Sequence, residues 1–203
     1  MFGIVAINGN QLSRIEEILQ KFEFRNYSKL DSFDKYYEME EYLYSNYFKK
    51  SSENKGIKGF WVDENWTYLY DPELVDPTDT KALIQTSEML DSEIHCLISE
   101  PKSGSFVYSK YYKIRTREVF YSSNKLVDNV GTKLDKEVTV NISESLNEEK
   151  LINFSKELGL DILGTENKGQ FQIGEFDLIL QEPTKSKIKS YPKDKSNKWW
   201  KFW

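Results

Sequence analysis

The sequence contains one histidine and one cysteine, and they are neighbours, His95 and Cys96. Zinc in proteins is held mainly by nitrogen and sulfur ligands, so a zinc site here would have to consist largely of carboxylates. Adjacent residues on a strand also point to opposite faces of the sheet, which rules out a local cysteine–histidine dyad. We therefore predict no metal site, a core position for Cys96, and a structural role for His95.

Carboxylates offer a second kind of chemistry, because the sequence contains several adjacent glutamate pairs. The pairs on predicted helices are Glu16/Glu17, Glu40/Glu41 and Glu148/Glu149. Adjacent side chains on a helix diverge, so a solvated helix face is the simplest interpretation. The sequence also has no Gly-x-x-x-x-Gly-Lys-Ser/Thr loop and no Gly-x-Gly-x-x-Gly turn after the first strand. We predict no cofactor, and keep an enzyme with a carboxylate-based active site as the alternative to a binding function.

An aromatic and acidic segment, residues 33–48, is the first candidate binding surface. Laid on a helix, it places one set of side chains on a common side: Tyr36, Met39, Leu43 and Tyr47. Tyr37 and Tyr44 face elsewhere, close to Glu40 and Glu41. Tyrosines among acidic residues suit contact with a basic protein. We predict that these four residues bind a partner; the alternative is a helix buried on two sides.

The last 20 residues form the second candidate surface. Residues 184–203 carry seven lysines and one acidic residue, a net charge of +6, whereas the other 183 residues carry −11. We predict a flexible basic tail. Its aromatic tip supplies four further candidate partner-binding residues: Trp199, Trp200, Phe202 and Trp203. The tip could fold back onto the acidic body or dock on a protein; contact with a membrane surface is less favoured, and single-stranded nucleic acid least.

Composition sets limits on the fold and its partners. Leu, Ile, Val and Phe number 54 of 203 residues, enough for a hydrophobic core, so we predict a single domain over residues 1–183. We expect a cytoplasmic protein, because the chain has no membrane-length apolar stretch, no signal-peptide pattern and a single cysteine. The acidic body excludes nucleic acid from the folded surface and favours a basic protein partner.

Periodicity places these residues on elements. A buried strand over residues 2–7 precedes a helix with apolar residues at helical spacing from Leu12 to Phe22. The polar stretch Lys49 to Gly59 is typical of an exposed loop, and it is followed by a hairpin with strands at residues 60–62 and 66–70. The capping residue Asp79 then predicts a third helical region, after those at residues 12–22 and 33–48.

The second half predicts further strands and one helix. A strand over residues 94–98 precedes residues 106–121, which are long enough for two strands broken near residues 111–113. Ser145 and Glu148 have capping-box spacing before a helix that ends at Gly159. Adjacent strands without regular βαβ alternation favour an α+β fold, with an antiparallel or mixed β-sheet and three or four helices packed on it.

From the hairpin onward the sequence carries a pattern of turns, strand ends and helix caps. Its segments are residues 66–75, Ser103–Tyr108, Arg117–Phe120, Gly131–Leu134, Glu137 and Leu158–Gly159. Over about residues 60–160 this pattern resembles a family of uncharacterised small soluble bacterial α+β proteins, some of them associated with toxin–immunity gene neighbourhoods. The resemblance implies a fold and a bacterial cytoplasmic setting. It transfers no catalytic or binding residue.

These observations predict a non-enzymatic protein-binding module, and in particular an immunity protein that neutralises a basic toxin domain. The alternatives are the carboxylate-based enzyme and a peripheral adaptor recruited through the aromatic tail. The oligomeric state is left open by the sequence.

Overall fold

The computed structural model describes residues 1–63, 65–165 and 169–178. The predicted basic tail, residues 184–203, lies outside the described residues. This includes the four candidate residues of its tip: Trp199, Trp200, Phe202 and Trp203.

All nine described strands form one antiparallel sheet in the order β2-β9-β3-β4-β1-β5-β6-β7-β8. The strands are β1 (Phe2–Asn8), β2 (Arg25–Phe33), β3 (Lys55–Val62), β4 (Trp66–Tyr70), β5 (Ile94–Glu100), β6 (Ser105–Tyr112), β7 (Ile114–Ser122), β8 (Lys125–Gly131) and β9 (Phe171–Asp177). The helices are α1 (Ile15–Lys21), α2 (Tyr36–Ser52), α3 (Thr80–Leu90), α4 (Asp135–Val140) and α5 (Glu148–Glu157). The predicted α+β class with an antiparallel sheet is confirmed, with five described α-helices instead of three or four.

The sheet separates two hydrophobic cores. One core includes residues of α2 and α5 and will be called the α5 side; the other includes residues of α1 and α3 and will be called the α3 side. In β1, Ile4 and Ala6 belong to the α5 side, whereas Val5 and Ile7 belong to the α3 side. Because both faces of β1 are covered, its sequence is a continuous apolar run and lacks polar alternation.

The prediction of an exposed loop from Lys49 to Gly59 is wrong. Helix α2 continues to Ser52, and β3 begins at Lys55 and is buried from Gly56 to Trp61. The glycines let other elements approach closely, since a Cβ added at Gly56 would lie 2.1 Å from the ring of Phe176. A strand whose interior contains two glycines and a buried lysine has the composition of a loop, which explains the error.

Some of the other predicted elements are confirmed, whereas others differ from the prediction or were not predicted. The Asp79 side chain caps α3 by accepting from the Ala82 backbone N–H at 3.0 Å, and the break between β6 and β7 falls at Lys113. Helix α5 is capped by Asn147 and not by Ser145. Strand β2 was not predicted, because as an exposed edge strand it lacks regular apolar alternation. The short helix α4 was not predicted either.

Candidate functional site

One face of α2 points outward along its whole length. Its exposed residues at helical spacing are Tyr37, Glu41, Ser45 and Phe48, which we call the outer stripe. Tyr37 is 56% exposed and Phe48 is 73% exposed. The Lys35 ammonium lies 5.5 Å from the centre of the Tyr37 ring and donates to its hydroxyl at 3.2 Å. Two large aromatic side chains therefore stand in solvent on a single helix face.

The opposite face of α2 holds the helix against the sheet. Met39 and Leu43 are fully buried in the α5-side core. Glu38 lies in the first turn, and the last turn contains Lys49 and Lys50, a charge order that complements the helix dipole. Packing and charge thus fix α2 in an orientation that leaves the outer stripe exposed.

The four partner-binding residues predicted on α2 divide into two pairs. Tyr37 and Glu41 lie on the outer stripe, whereas Glu40 and Tyr44 are half-buried and bonded within the protein. The Tyr70 hydroxyl lies 2.8 Å from the Tyr44 hydroxyl and 3.1 Å from Glu40 Oε1. Tyr44 in turn donates to the Met1 carbonyl at 2.7 Å. Burial, with a smaller contribution from Glu40, raises the pKa of Tyr44, so its hydroxyl is a stable donor.

His95 forms part of a hydrogen-bonded chain inside the α5 side. Its Nε2 lies 2.6 Å from Glu93 Oε1, and its Nδ1 lies 2.9 Å from the Tyr108 hydroxyl. Because the ionised carboxylate only accepts, the imidazole proton belongs on Nε2 and Tyr108 donates to Nδ1. Burial lowers the pKa of His95, and the hydrogen bond from His95 lowers the pKa of Glu93 to about 2.

The His95 chain has the order of a carboxylate–histidine–hydroxyl relay, but its hydroxyl is sealed. Tyr108 is fully buried, and the Phe154 ring packs edge-on against it at 4.8 Å. A substrate could not reach this oxygen without local unfolding, so the chain fixes β5 to β6. The predicted structural role of His95 agrees with this arrangement, and Cys96 is fully buried as predicted.

A buried ammonium group lies on the α3 side. Lys58 Nζ is 2.8 Å from Asp71 Oδ1 and 2.7 Å from Asp76 Oδ2, and all three side chains are almost completely buried. The ring centre of Phe24 lies 4.9 Å from the same ammonium. Asp71 also accepts from three backbone N–H groups of the segment that follows β4. This cluster ties β3 to the connection before α3.

The guanidinium of Arg117 is a second buried cation among the described residues. It makes a two-point contact with Glu137, with both N···O distances 2.6 Å. The same group donates to Asn129 Oδ1 at 2.7 Å and to the Val130 carbonyl at 2.8 Å. Hydrogen bonds from Arg117 help to hold the pKa of Glu137 below its ordinary value, against the effect of burial. Arg117 therefore fastens both α4 and β8 to β7.

A small pocket of about 120 Å³ opens on the α3 side where β6 and β7 pass the start of α3. It is lined by Pro77, Thr78, Thr80, Val107, Ser109, Tyr111, Arg115, Glu118 and Phe120. Burial raises the pKa of the Glu118 carboxyl even though Arg115 lies 2.5 Å away. The pocket thus brings a carboxyl group and the Tyr111 hydroxyl to one small cleft.

Strand β8 ends the sheet, and all seven of its residues are exposed. Leu126, Val127 and Val130 are 45%, 56% and 48% exposed. Gly131 closes the strand with a φ of +86°, and a Cβ there would lie 2.1 Å from the Thr116 carbonyl. Apolar side chains and a strand edge that pairs with no other described strand therefore occur together at this end of the sheet.

Charge is distributed unevenly along the body. Residues 61–100, which include β4, α3 and β5, contain ten acidic residues and one basic residue. Residues 101–140, which include β6, β7, β8 and α4, contain eight basic and four acidic residues. The end of the sheet that carries β8 is thus the basic region of an otherwise acidic body.

Comparisons with protein-family models, curated proteins and solved structures find no match for this chain. Among the described residues, no helix is long and apolar enough to cross a membrane. The same residues contain no cluster of three or more histidine, cysteine or acidic side chains that could hold a metal ion.

Proposed function

We propose that this chain is a non-enzymatic protein-binding module whose partner is a basic protein docked on the outer stripe of α2. The observation that carries the proposal is the exposure of Tyr37, an aromatic residue that stands in solvent next to Glu41 on a rigidly packed helix. Tyrosine buries a large area at a low cost in conformational entropy, and it is enriched at protein interfaces.

The charge around Tyr37 favours a basic partner. Residues 31–41 contain five acidic residues and one lysine, and the body as a whole is strongly acidic. A surface of this sign speeds the encounter with a basic protein, most strongly at low salt. Glu40 and Tyr44 support the surface from below, since their contacts with Tyr70 are internal.

The biological role that we propose is that of an immunity protein that neutralises a basic toxin domain. The resemblance predicted for about residues 60–160, to a family of which some members are associated with toxin–immunity neighbourhoods, favours this role. Neutralisation by docking needs an outward surface on a rigid scaffold and no reaction centre. The outer stripe supplies such a surface.

The experiment measures binding to the product of a toxin-like gene adjacent to the gene for this chain, by calorimetry at low salt. We expect Tyr37→Ala and Glu41→Lys each to weaken the complex about tenfold. The matched controls are Tyr112→Ala and Glu88→Lys, which change exposed residues of the same types away from α2, and these should leave affinity unchanged. Failure of the unaltered chain to form any complex would contradict the proposal.

The pocket favours a second candidate function, an enzyme that uses Glu118 as a general acid. Its raised pKa and the nearby Tyr111 hydroxyl are the observations that support this function. A panel of chromogenic esters and glycosides would be tested with the unaltered chain and with Glu118→Gln. Turnover that disappears in Glu118→Gln would favour the enzyme, whereas no turnover on any substrate would count against it.

The adaptor alternative depends on residues 184–203, which lie outside the described residues, and stays a prediction. Pelleting with anionic vesicles would compare the full chain with a chain ending at Pro183. Pelleting of the full chain alone would support recruitment through the tail, and two chains that both remain in the supernatant would remove this alternative.

A further inference from the structure

We infer that β8 is a second docking site, which accepts an extended, acid-flanked segment of another protein as an added antiparallel or parallel strand. The site lies at the opposite end of the sheet from β2 and selects the opposite charge from the outer stripe of α2. It is therefore independent of the proposed function, and each can fail without the other.

The first support is the shape of the edge. An added strand needs a row of backbone groups without a neighbour, and β8 is a terminal strand exposed over its whole length. Apolar side chains stand on both of its faces. Val130 pairs with Glu118, which faces the pocket, whereas Leu126 pairs with Tyr121 of the α5-side core. A bound strand would cover apolar area on both faces of β8.

The second support is that the edge is held in place before any partner arrives. Arg117 donates to Asn129 and to the Val130 carbonyl, and the same guanidinium is fixed by Glu137 of α4. An edge that is already ordered loses little conformational entropy when a strand binds. Backbone hydrogen bonds formed with the partner would then contribute directly to affinity.

The third support is charge, which also selects the occupant. Lys125 begins β8 and Lys133 follows its end; both are exposed, and neither has an ion-pair partner among the described residues. If two copies of this chain paired antiparallel through the whole of β8, Lys125 of one copy would face Gly131 of the other, two residues before the Lys133 of that copy. Asp128 would then face its own counterpart. Like charges at these positions disfavour self-pairing and favour a partner with acidic ends.

The spacing of the two lysines defines the ligand further. They are eight residues apart in sequence; the strand itself, from Lys125 to Gly131, corresponds to roughly 20 Å of extended chain, and Lys133 follows two residues later. The segment therefore carries one acidic residue near each end of an alternating core. Because Asp128 lies between the lysines, the middle of the segment is neutral or basic.

The probe is a blocked peptide of roughly nine residues with glutamate at both ends of an alternating threonine–valine core. One control peptide has lysine at both ends. Two further controls keep the glutamates but are N-methylated at alternate backbone nitrogens, one at the odd-numbered and one at the even-numbered residues. Binding to the full chain would be followed by fluorescence polarisation at low salt. We expect the glutamate peptide to bind about tenfold more tightly than the lysine peptide. At least one of the two N-methylated peptides should not bind, because methylation removes the backbone N–H groups that would pair with β8.

A charge-reversed chain tests the same point from the protein side. In the double variant Lys125→Glu/Lys133→Glu the preference should invert, so that the lysine peptide binds more tightly. Amide hydrogen exchange should slow in residues 125–131 when the glutamate peptide is added, with no change in β2. The substituted lysines are exposed, so the variant should fold, and urea unfolding would verify this.

Three results with the peptides would overturn the inference. They are equal binding of the glutamate and lysine peptides, undiminished binding of both N-methylated peptides, and no saturable binding of the glutamate peptide up to about 1 mM. A concentration-dependent dimer of the unaltered chain that protects the β8 amides would also overturn it, because a second copy would then be the occupant.

Discussion

The two edge strands of the sheet, β2 and β8, differ in how far they are protected against pairing with another strand. Strand β2 has two register irregularities against β9, and Asn26 has a φ of +53° and donates to Asp177 at 2.6 Å. Charged residues also run along it. Strand β8 has one register irregularity and exposes Leu126, Val127 and Val130. Bulges and charges discourage edge pairing, so β2 is protected to a degree that β8 is not.

The aromatic residues of the β2 edge are used internally. Tyr27 packs edge-on against Phe60 at 6.0 Å, and Phe33 lies 5.5 Å from Tyr42 of α2. At β8 the apolar residues have no such aromatic contacts within the described part of the chain, and hydrogen bonds from Arg117 hold the strand in place instead. An edge strand can therefore be held in place and still be open to a partner, a combination that suits binding.

The largest expected effect comes from removing the support of the open edge. Glu137→Ala leaves the Arg117 guanidinium buried without its carboxylate, which should lower the free energy of unfolding by about 3–5 kcal/mol. Asp135→Ala, an exposed change on the same helix, should cost little. At the protected edge, Asn26→Ala should cost about 1 kcal/mol or less, because its hydrogen bond to Asp177 is exposed. Urea unfolding of the three variants measures the difference, and equal losses would contradict the comparison.

The second expected effect is a pH dependence of the free energy of unfolding. It arises at Asp76, a partner of buried Lys58, and not at Glu137, the partner of buried Arg117. Burial and the neighbouring Asp71 raise the pKa of Asp76 to about 7, although Lys58 opposes the rise. Glu137, the partner of Arg117, has a lowered pKa instead. As pH falls from 8 to 6.5, folded Asp76 binds a proton that the unfolded chain does not. The free energy of unfolding should therefore increase, with a slope approaching about 1 kcal/mol per pH unit.

The control for this pH effect is Asp76→Asn. Buried His95, whose pKa is lowered, contributes in the opposite direction, since its share of stability is lost as pH falls through the pKa of the unfolded chain. The difference between the unaltered chain and Asp76→Asn removes that contribution. Unfolding curves at several pH values should show the smaller rise in Asp76→Asn; identical pH profiles would mean that Asp76 remains ionised throughout.

The third expected effect is a difference in stability loss between two tyrosines of the binding surface predicted on α2. Tyr44→Ala removes hydrogen bonds to Tyr70 and Met1 together with a half-buried ring, and should cost at least about 1 kcal/mol. Tyr37→Ala changes a residue that stands mostly in solvent and should stay within about 0.5 kcal/mol. Thermal unfolding distinguishes them. Equal losses would mean that the two tyrosines are equally part of the core.

Sequence periodicity predicted most of the central sheet, because strands with apolar residues on one or both faces carry a direct signal. It failed where burial is achieved by polar residues or glycine. Lys58 lies in the core only because Asp71 and Asp76 follow in later segments. Residues 49–59 therefore had the composition of a loop, and the exposed edge β2 had no apolar pattern.

The candidate surface on α2 was predictable in part for the same reason. Helical spacing separated Tyr37 and Tyr44 from the Met39 and Leu43 side, but it could not show that Tyr70 of a distant strand would bond to Tyr44. The open edge at β8 was missed as a site, since a short strand in sequence does not reveal that it ends the sheet. Only the strand order shows that Val127 and the lysines on either side of β8 lie at an edge of the sheet.

The smallest change in stability is expected for lysine substitutions at exposed positions of the two edge strands. Val127→Lys in β8 and Leu30→Lys in β2 both place a charge at an exposed position, so each should alter the free energy of unfolding by no more than about 0.5 kcal/mol. Their effects on association should differ. A lysine on an open apolar edge blocks pairing with unfolding neighbours, whereas β2 already has charges and bulges. Light scattering near the unfolding midpoint should show slower aggregation for Val127→Lys alone; equal slowing in both variants would show that the edges are equally open.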